Sequence, residues 1–137
     1  MAGEFPSDEW LKDFINYLNN DEEYAKVAKN WEGDLIFDIQ PEGALKENKR
    51  VYLDLWHGKC RGGYMVPEDE EKTAKFVLKA PYGNFVKVLK GELDPMQAMM
   101  SRKLAVKGNM AYMMRNVPTV LKFVRCAQES TGSVLGE

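Results

Sequence analysis

The sequence predicts an α+β protein. Hydrophobic spacing is helical before Gly33, alternates with a period of two between Asp34 and Ala80, and returns to helical spacing from Pro81. The first helix opens at Ser7, a capping residue, with Asp8 and Glu9 complementing the dipole of its first turn. Trp10, Phe14 and Leu18 then share one face, with Leu11 and Ile15 beside them. Asn19-Asn-Asp21 breaks that helix, and Asp21 can cap a second in which Tyr24, Val27, Ala28 and Trp31 keep helical spacing up to Gly33.

Period two follows. Leu35, Phe37 and Ile39 alternate with Asp38 and Gln40, and Val51, Leu53 and Leu55 alternate with Tyr52, Asp54 and Trp56. Gly58-Lys59 is read as the turn into a third strand, Cys60 to Val66, and these strands are expected to keep one face wet. Pro67 to Glu71 reads as a solvated acidic loop, and Lys75 to Ala80 as a fourth strand. Pro81 suits the first turn of a helix carrying Tyr82, Phe85, Val86 and Leu89, which Gly91 ends. Asp94-Pro95 starts a short helix with Met96, Met99 and Met100; Leu104 to Val106 makes a short fifth strand. Asn109 caps a last helical region in which Met110, Met113, Met114, Val117, Leu121 and Val124 are spaced as one face, with Pro118 expected to break or kink it.

Length and composition fit one domain over residues 1–137, with the ends, 1–6 and 129–137, expected to fray. With 45% hydrophobic and 29% charged residues, disorder is excluded. No apolar run is long enough to cross a bilayer and the start MAGEFPSDEW has no signal-peptide core, so a cytoplasmic location is expected. His57 is the only histidine, and Cys60 and Cys126 match no zinc or redox spacing, so no metal and no cofactor are expected. No nucleophile signature accompanies His57, and Gly58-Lys-Cys-Arg-Gly-Gly63 lacks the spacing of a phosphate loop; the chain does not read as an enzyme. An acidic domain without a recognition motif does not read as a nucleic-acid binder either.

Two features remain. Six of the eight methionines fall between positions 96 and 114, and methionine re-packs around shapes it does not strongly select. Residues 1–94 hold 13 basic and 19 acidic residues, whereas 95–128 hold Arg102, Lys103, Lys107, Arg115, Lys122 and Arg125 with no acid. Adaptable apolar side chains beside fixed positive charge suit a flexible apolar ligand with an anionic end, and such a segment could also meet an anionic membrane surface transiently. The competing reading is a core filled with methionine, with the basic half neutralising the acidic half of the same fold.

The order of these segments resembles the sterol carrier protein 2 family from about Trp10 to about Val124. The resemblance rests on Tyr24…Trp31-Glu-Gly33, Asp34-Leu-Ile-Phe37, Val51-Tyr-Leu-Asp-Leu-Trp-His-Gly58 and Asn84-Phe-Val…Gly91. It rests above all on Leu93-Asp-Pro-Met-Gln-Ala98 followed by Lys103-Leu-Ala-Val-Lys-Gly-Asn109. It implies a five-stranded, mostly antiparallel sheet with helices covering one face and an apolar tunnel between the layers. It also implies binding of sterols, fatty acids, fatty acyl-CoAs or phospholipids without altering them. Where the family usually carries glycine before the lysine of the late block, this chain has Ser101-Arg102.

The expected tunnel wall is Phe14 and Leu18 from the first helix, Phe85 and Leu89 from the middle one, and Met96, Met99, Met100, Met110, Met113, Met114 and Val117. Arg102 or Lys103 is expected to meet the polar head. The alternative is an accessory or dimerisation domain serving a separate enzyme, its interior plain core, present as a monomer or homodimer.

Overall fold

The computed structural model describes residues 3–137. Its centre is a five-stranded sheet formed by β2 (Leu35–Gln40), β3 (Lys49–Trp56), β4 (Lys59–Val66), β5 (Phe76–Pro81) and β6 (Ala105–Lys107), in the order β4-β3-β2-β5-β6. Only the β2–β5 pair is parallel; the other three are antiparallel. The register sets Leu35 beside Leu53 and Phe76, and Phe37 beside Val51 and Leu78, so that a single face collects the alternating apolar residues.

The turn from β3 to β4 is His57-Gly58, one residue earlier than the sequence suggests. Both residues have positive φ, 49° and 80°, as a two-residue hairpin of matching twist requires. Gly58 is also forced by contact: a Cβ there would lie 2.6 Å from the carbonyl oxygen of Ala25, so the turn sits directly on the second helix.

Helices cover the apolar face. In α1 (Asp8–Asn20) the Ser7 hydroxyl accepts from the Trp10 amide at 3.1 Å, and Trp10, Phe14 and Leu18 are buried. Each such side chain contributes roughly 1.5–3 kcal/mol by leaving water. Asp21 caps α2 (Glu22–Val27), which ends before Trp31; that residue lies in the loop to β2, its indole N–H donating to the Gly33 carbonyl at 2.9 Å. Pro81 caps α3 (Tyr82–Leu89) instead of forming its first turn. Two short helices follow, α4 (Pro95–Met100) and α5 (Met110–Arg115), and then α6 (Val117–Ser130), which packs against α1, α2 and α3.

Two expectations need correction. The opposite sheet face is not wholly wet, because the segment from Pro67 to Lys75 folds back over it. Arg50 donates to the carbonyls of Pro67 and Glu70 at 2.9 and 2.6 Å, the Tyr64 hydroxyl donates to Glu70 at 2.9 Å, and the Lys72 ammonium stands 4.2 Å over the Tyr52 ring. Ile36, on that face, is buried accordingly.

The ends are not frayed either. β1 (Glu4–Phe5) pairs in parallel with β7 (Ser133–Val134), the Tyr82 hydroxyl donates to the Leu135 carbonyl at 2.8 Å, and Phe5 and Val134 are buried. Long-range pairing supplies what local composition lacks; residues 1 and 2 lie outside the described residues.

Candidate functional site

Between the two layers lies a cavity of ≈ 70 Å³. The sheet contributes Leu35, Phe37, Leu55 and Leu78 as its floor. Phe85, Val88 and Leu89 of α3, with Val120, Phe123, Val124 and Ala127 of α6, form the roof. Phe5, Trp10, Tyr24, Trp31, Pro95, Met99, Leu104, Met113 and Thr119 complete the lining.

Polar atoms along this wall are turned to other uses. The Thr119 hydroxyl donates to the Val27 carbonyl at 2.8 Å, and the Trp10 indole N–H donates to the Thr131 hydroxyl at 2.9 Å. Burial pushes the Tyr24 phenol well above its ordinary range, so it presents a neutral ring at physiological pH. Cys126, a buried residue of α6, is pushed up to about 12, chiefly by burial and then by the charge of Asp21. The lining carries no formal charge, and the described residues contain no cluster of three or more metal-capable side chains. The cavity can desolvate an apolar body and has no group placed for chemistry on it.

Of the residues expected at the tunnel, Phe85, Leu89, Met99 and Met113 line the cavity. Phe14 and Leu18 are fully buried one layer behind it, where Phe14 packs on Phe123 with ring centroids 5.1 Å apart. Met96 and Met110 are half-buried against the core, and Val117 is half-buried. Met100 and Met114 point outward, 70% and 45% exposed. Arg102 and Lys103 are exposed and do not line the cavity.

Arg102 sits instead in the left-handed region, φ 64°, where the chain leaves α4. Such a backbone suits glycine and strains any side chain carrying a Cβ. Replacing Arg102 with glycine is therefore expected to stabilise the fold by roughly 0.5–1 kcal/mol, read as a higher urea midpoint. A lower midpoint would mean that the arginine's own contacts outweigh the strain.

Of the buried stripe of α6, sequence reasoning found only Val124. Val120, Phe123 and Ala127 stand at helical spacing with it, but a change of phase at Asn116 hid them. That residue leaves helical geometry (φ −124°, ψ 35°) between α5 and α6. The face therefore resets, which leaves Leu121 41% exposed and turns Val120 and Phe123 inward.

A mixed sheet, a helical layer on one face and an apolar cavity between them define an α+β cavity protein. The chain belongs to the SCP-2 sterol transfer family, which residues 13–120 match. It is 33% identical to a sterol carrier protein 2 of known crystal structure, with a TM-score of 0.85 over 93% of this chain and 100% of that one. The solution structure of a conserved hypothetical protein from Thermus thermophilus is 32% identical, with a TM-score of 0.84 over 96% of this chain and 93% of that one. Human hydroxysteroid dehydrogenase-like protein 2 is 39% identical over 85 residues, 62% of this chain and 19% of that protein. The chain thus spans about a fifth of the length of the curated relatives it matches.

Proposed function

We propose that this chain is a non-catalytic lipid carrier, a single binding unit that takes the acyl chain of a fatty acid or acyl ester between its sheet and its helices. The observation that carries this reading is the uncharged, aromatic- and methionine-lined cavity at the interface of the two layers. At ≈ 70 Å³ it is well short of the roughly 300–1,000 Å³ of a formed small-molecule pocket, so binding must open it. The wall best suited to yield is the one made by α4 and α5, elements of six residues each that place Met99 and Met113 against the cavity. A dozen methylenes at roughly 0.8 kcal/mol each can outweigh that rearrangement and the ordering of the chain. A rigid sterol nucleus demands more opening at once than a chain that threads, so acyl ligands rank ahead of sterol.

Titration of the delipidated protein with a fluorescent fatty acid, then displacement by palmitate, palmitoyl-CoA and cholesterol, tests this. Saturable one-site binding displaced by palmitate or palmitoyl-CoA before cholesterol is the expected result. A folded protein that binds none of them would overturn the reading and leave an accessory or dimerisation role.

A further inference from the structure

Beside α6 runs a surface groove of ≈ 700 Å³ that shares two wall residues, Pro95 and Val124, with the inner cavity. One layer of side chains separates the two spaces. The outer side of that layer is apolar where it meets solvent: Val27 and Leu121, 38% and 41% exposed, both line the groove.

The charges of the groove are unequally committed. Lys122 is held by Glu23 at 2.9 Å and Asp21 at 3.6 Å, with its side chain only 19% exposed. Asp94 is spent as the cap of α4, accepting from the Gln97 amide at 2.9 Å. Arg125 is different. Its side chain is 65% exposed, and its bond within the protein is a single long one, Nε to Glu129 at 3.4 Å. Glu129 also accepts from the Tyr17 hydroxyl at 2.7 Å, so it keeps a partner when Arg125 turns away. Among the described residues the two terminal nitrogens of Arg125 make no hydrogen bond, which leaves a planar fork suited to two oxygens of one anion.

We infer that this groove is the mouth of the cavity and that Arg125 receives the anionic oxygen head, carboxylate or phosphate, of the amphiphile whose tail passes between Pro95 and Val124. The inference rests on the lipid-binding reading above. Arg125, and not Arg102 or Lys103, is then the basic residue that selects charged over neutral heads.

Trp10 and Trp31 line the cavity, so their fluorescence can report binding of unlabelled ligands. Palmitate, hexadecyl phosphate and hexadecanol are titrated in turn. The unaltered protein should prefer the anions over the alcohol by about tenfold. Arg125→Gln should erase that preference while leaving the hexadecanol Kd unchanged, and Arg125→Lys should keep part of it. The anion that loses more affinity in Arg125→Gln identifies the head. Leu121→Trp, at the rim alone, should slow palmitate association and dissociation by one common factor, with Kd unmoved. Equal palmitate affinity in the unaltered protein and Arg125→Gln would overturn the head assignment while hexadecanol binding left the carrier reading intact. Unchanged rates in Leu121→Trp would overturn the mouth. Failure of the folded protein to bind any of the three would sink the carrier reading and this inference with it.

Discussion

Replacing Phe123 with alanine should cost about 3–5 kcal/mol of stability and at the same time tighten the hold on an acyl chain. The ring is the hub of the helical layer: its centroid lies 5.1 Å from Phe14, 6.1 Å from Phe37 and 6.4 Å from Tyr24. It also lines the cavity, so its loss would enlarge the space between the layers and would not leave a void elsewhere in the core. The unliganded fold then forgoes the dispersion contacts of a whole ring, whereas the lipid finds room it would otherwise have to open. Urea unfolding with and without palmitate separates the two effects, because a ligand specific for the folded state adds RT ln(1 + [L]/Kd). The expected pattern is a much lower midpoint without palmitate and a larger rise on adding it than the unaltered protein shows. Weaker palmitate binding in the variant would mean that the ring contacts the lipid directly instead of occupying its space. A loss below about 1 kcal/mol would show that the aromatic cluster does not depend on this residue.

Much of this architecture is legible locally. Ser7, Asp21, Asp94 and Asn109 each cap a helix by accepting the amide three residues on, from Trp10, Tyr24, Gln97 and Tyr112. Each is a short-range bond that a tetrapeptide nearly specifies. Alternation likewise assigns Leu35, Phe37, Val51, Leu53 and Leu78 to one sheet face, since the pleat leaves no other choice. The features that escape are those set across the chain. Phe5 is a cavity wall because a strand more than a hundred residues later pairs with its backbone. Ile36 is buried on the sheet face that alternation alone assigns to solvent.

The candidate site shows the same division. Met99 and Met113 lie on the cavity, but Met100 and Met114, their neighbours in sequence, point to solvent. Helices of six residues have too little length to fix which side faces inward, so tertiary contact decides. Arg102 and Lys103, next to the methionines in sequence, do not line the cavity, whereas Arg125, the neighbour of Val124 on α6, lines the groove.

The reciprocal change, Ala127→Leu, should move stability and binding in the directions opposite to Phe123→Ala. Ala127 is buried on α6 and lines the cavity, where a larger side chain meets space instead of packed atoms. Three added carbons occupy a substantial part of ≈ 70 Å³, so the fold gains apolar contact without the usual strain of an overpacked core. A gain of about 1 kcal/mol is expected, raising Tm by about 2–4 °C. Those same atoms stand where the first methylenes of a tail must go, and the wall would have to open further to admit them. Palmitate affinity should fall by at least about tenfold, equivalent to about 1.4 kcal/mol. Calorimetric melting and palmitate titration of one preparation give both readings. A more stable protein that no longer takes palmitate would tie the ligand to this cavity, because damage to the fold could not raise Tm. A more stable protein with undiminished affinity would place the lipid elsewhere, and the space between sheet and helices would then be an imperfection of the core.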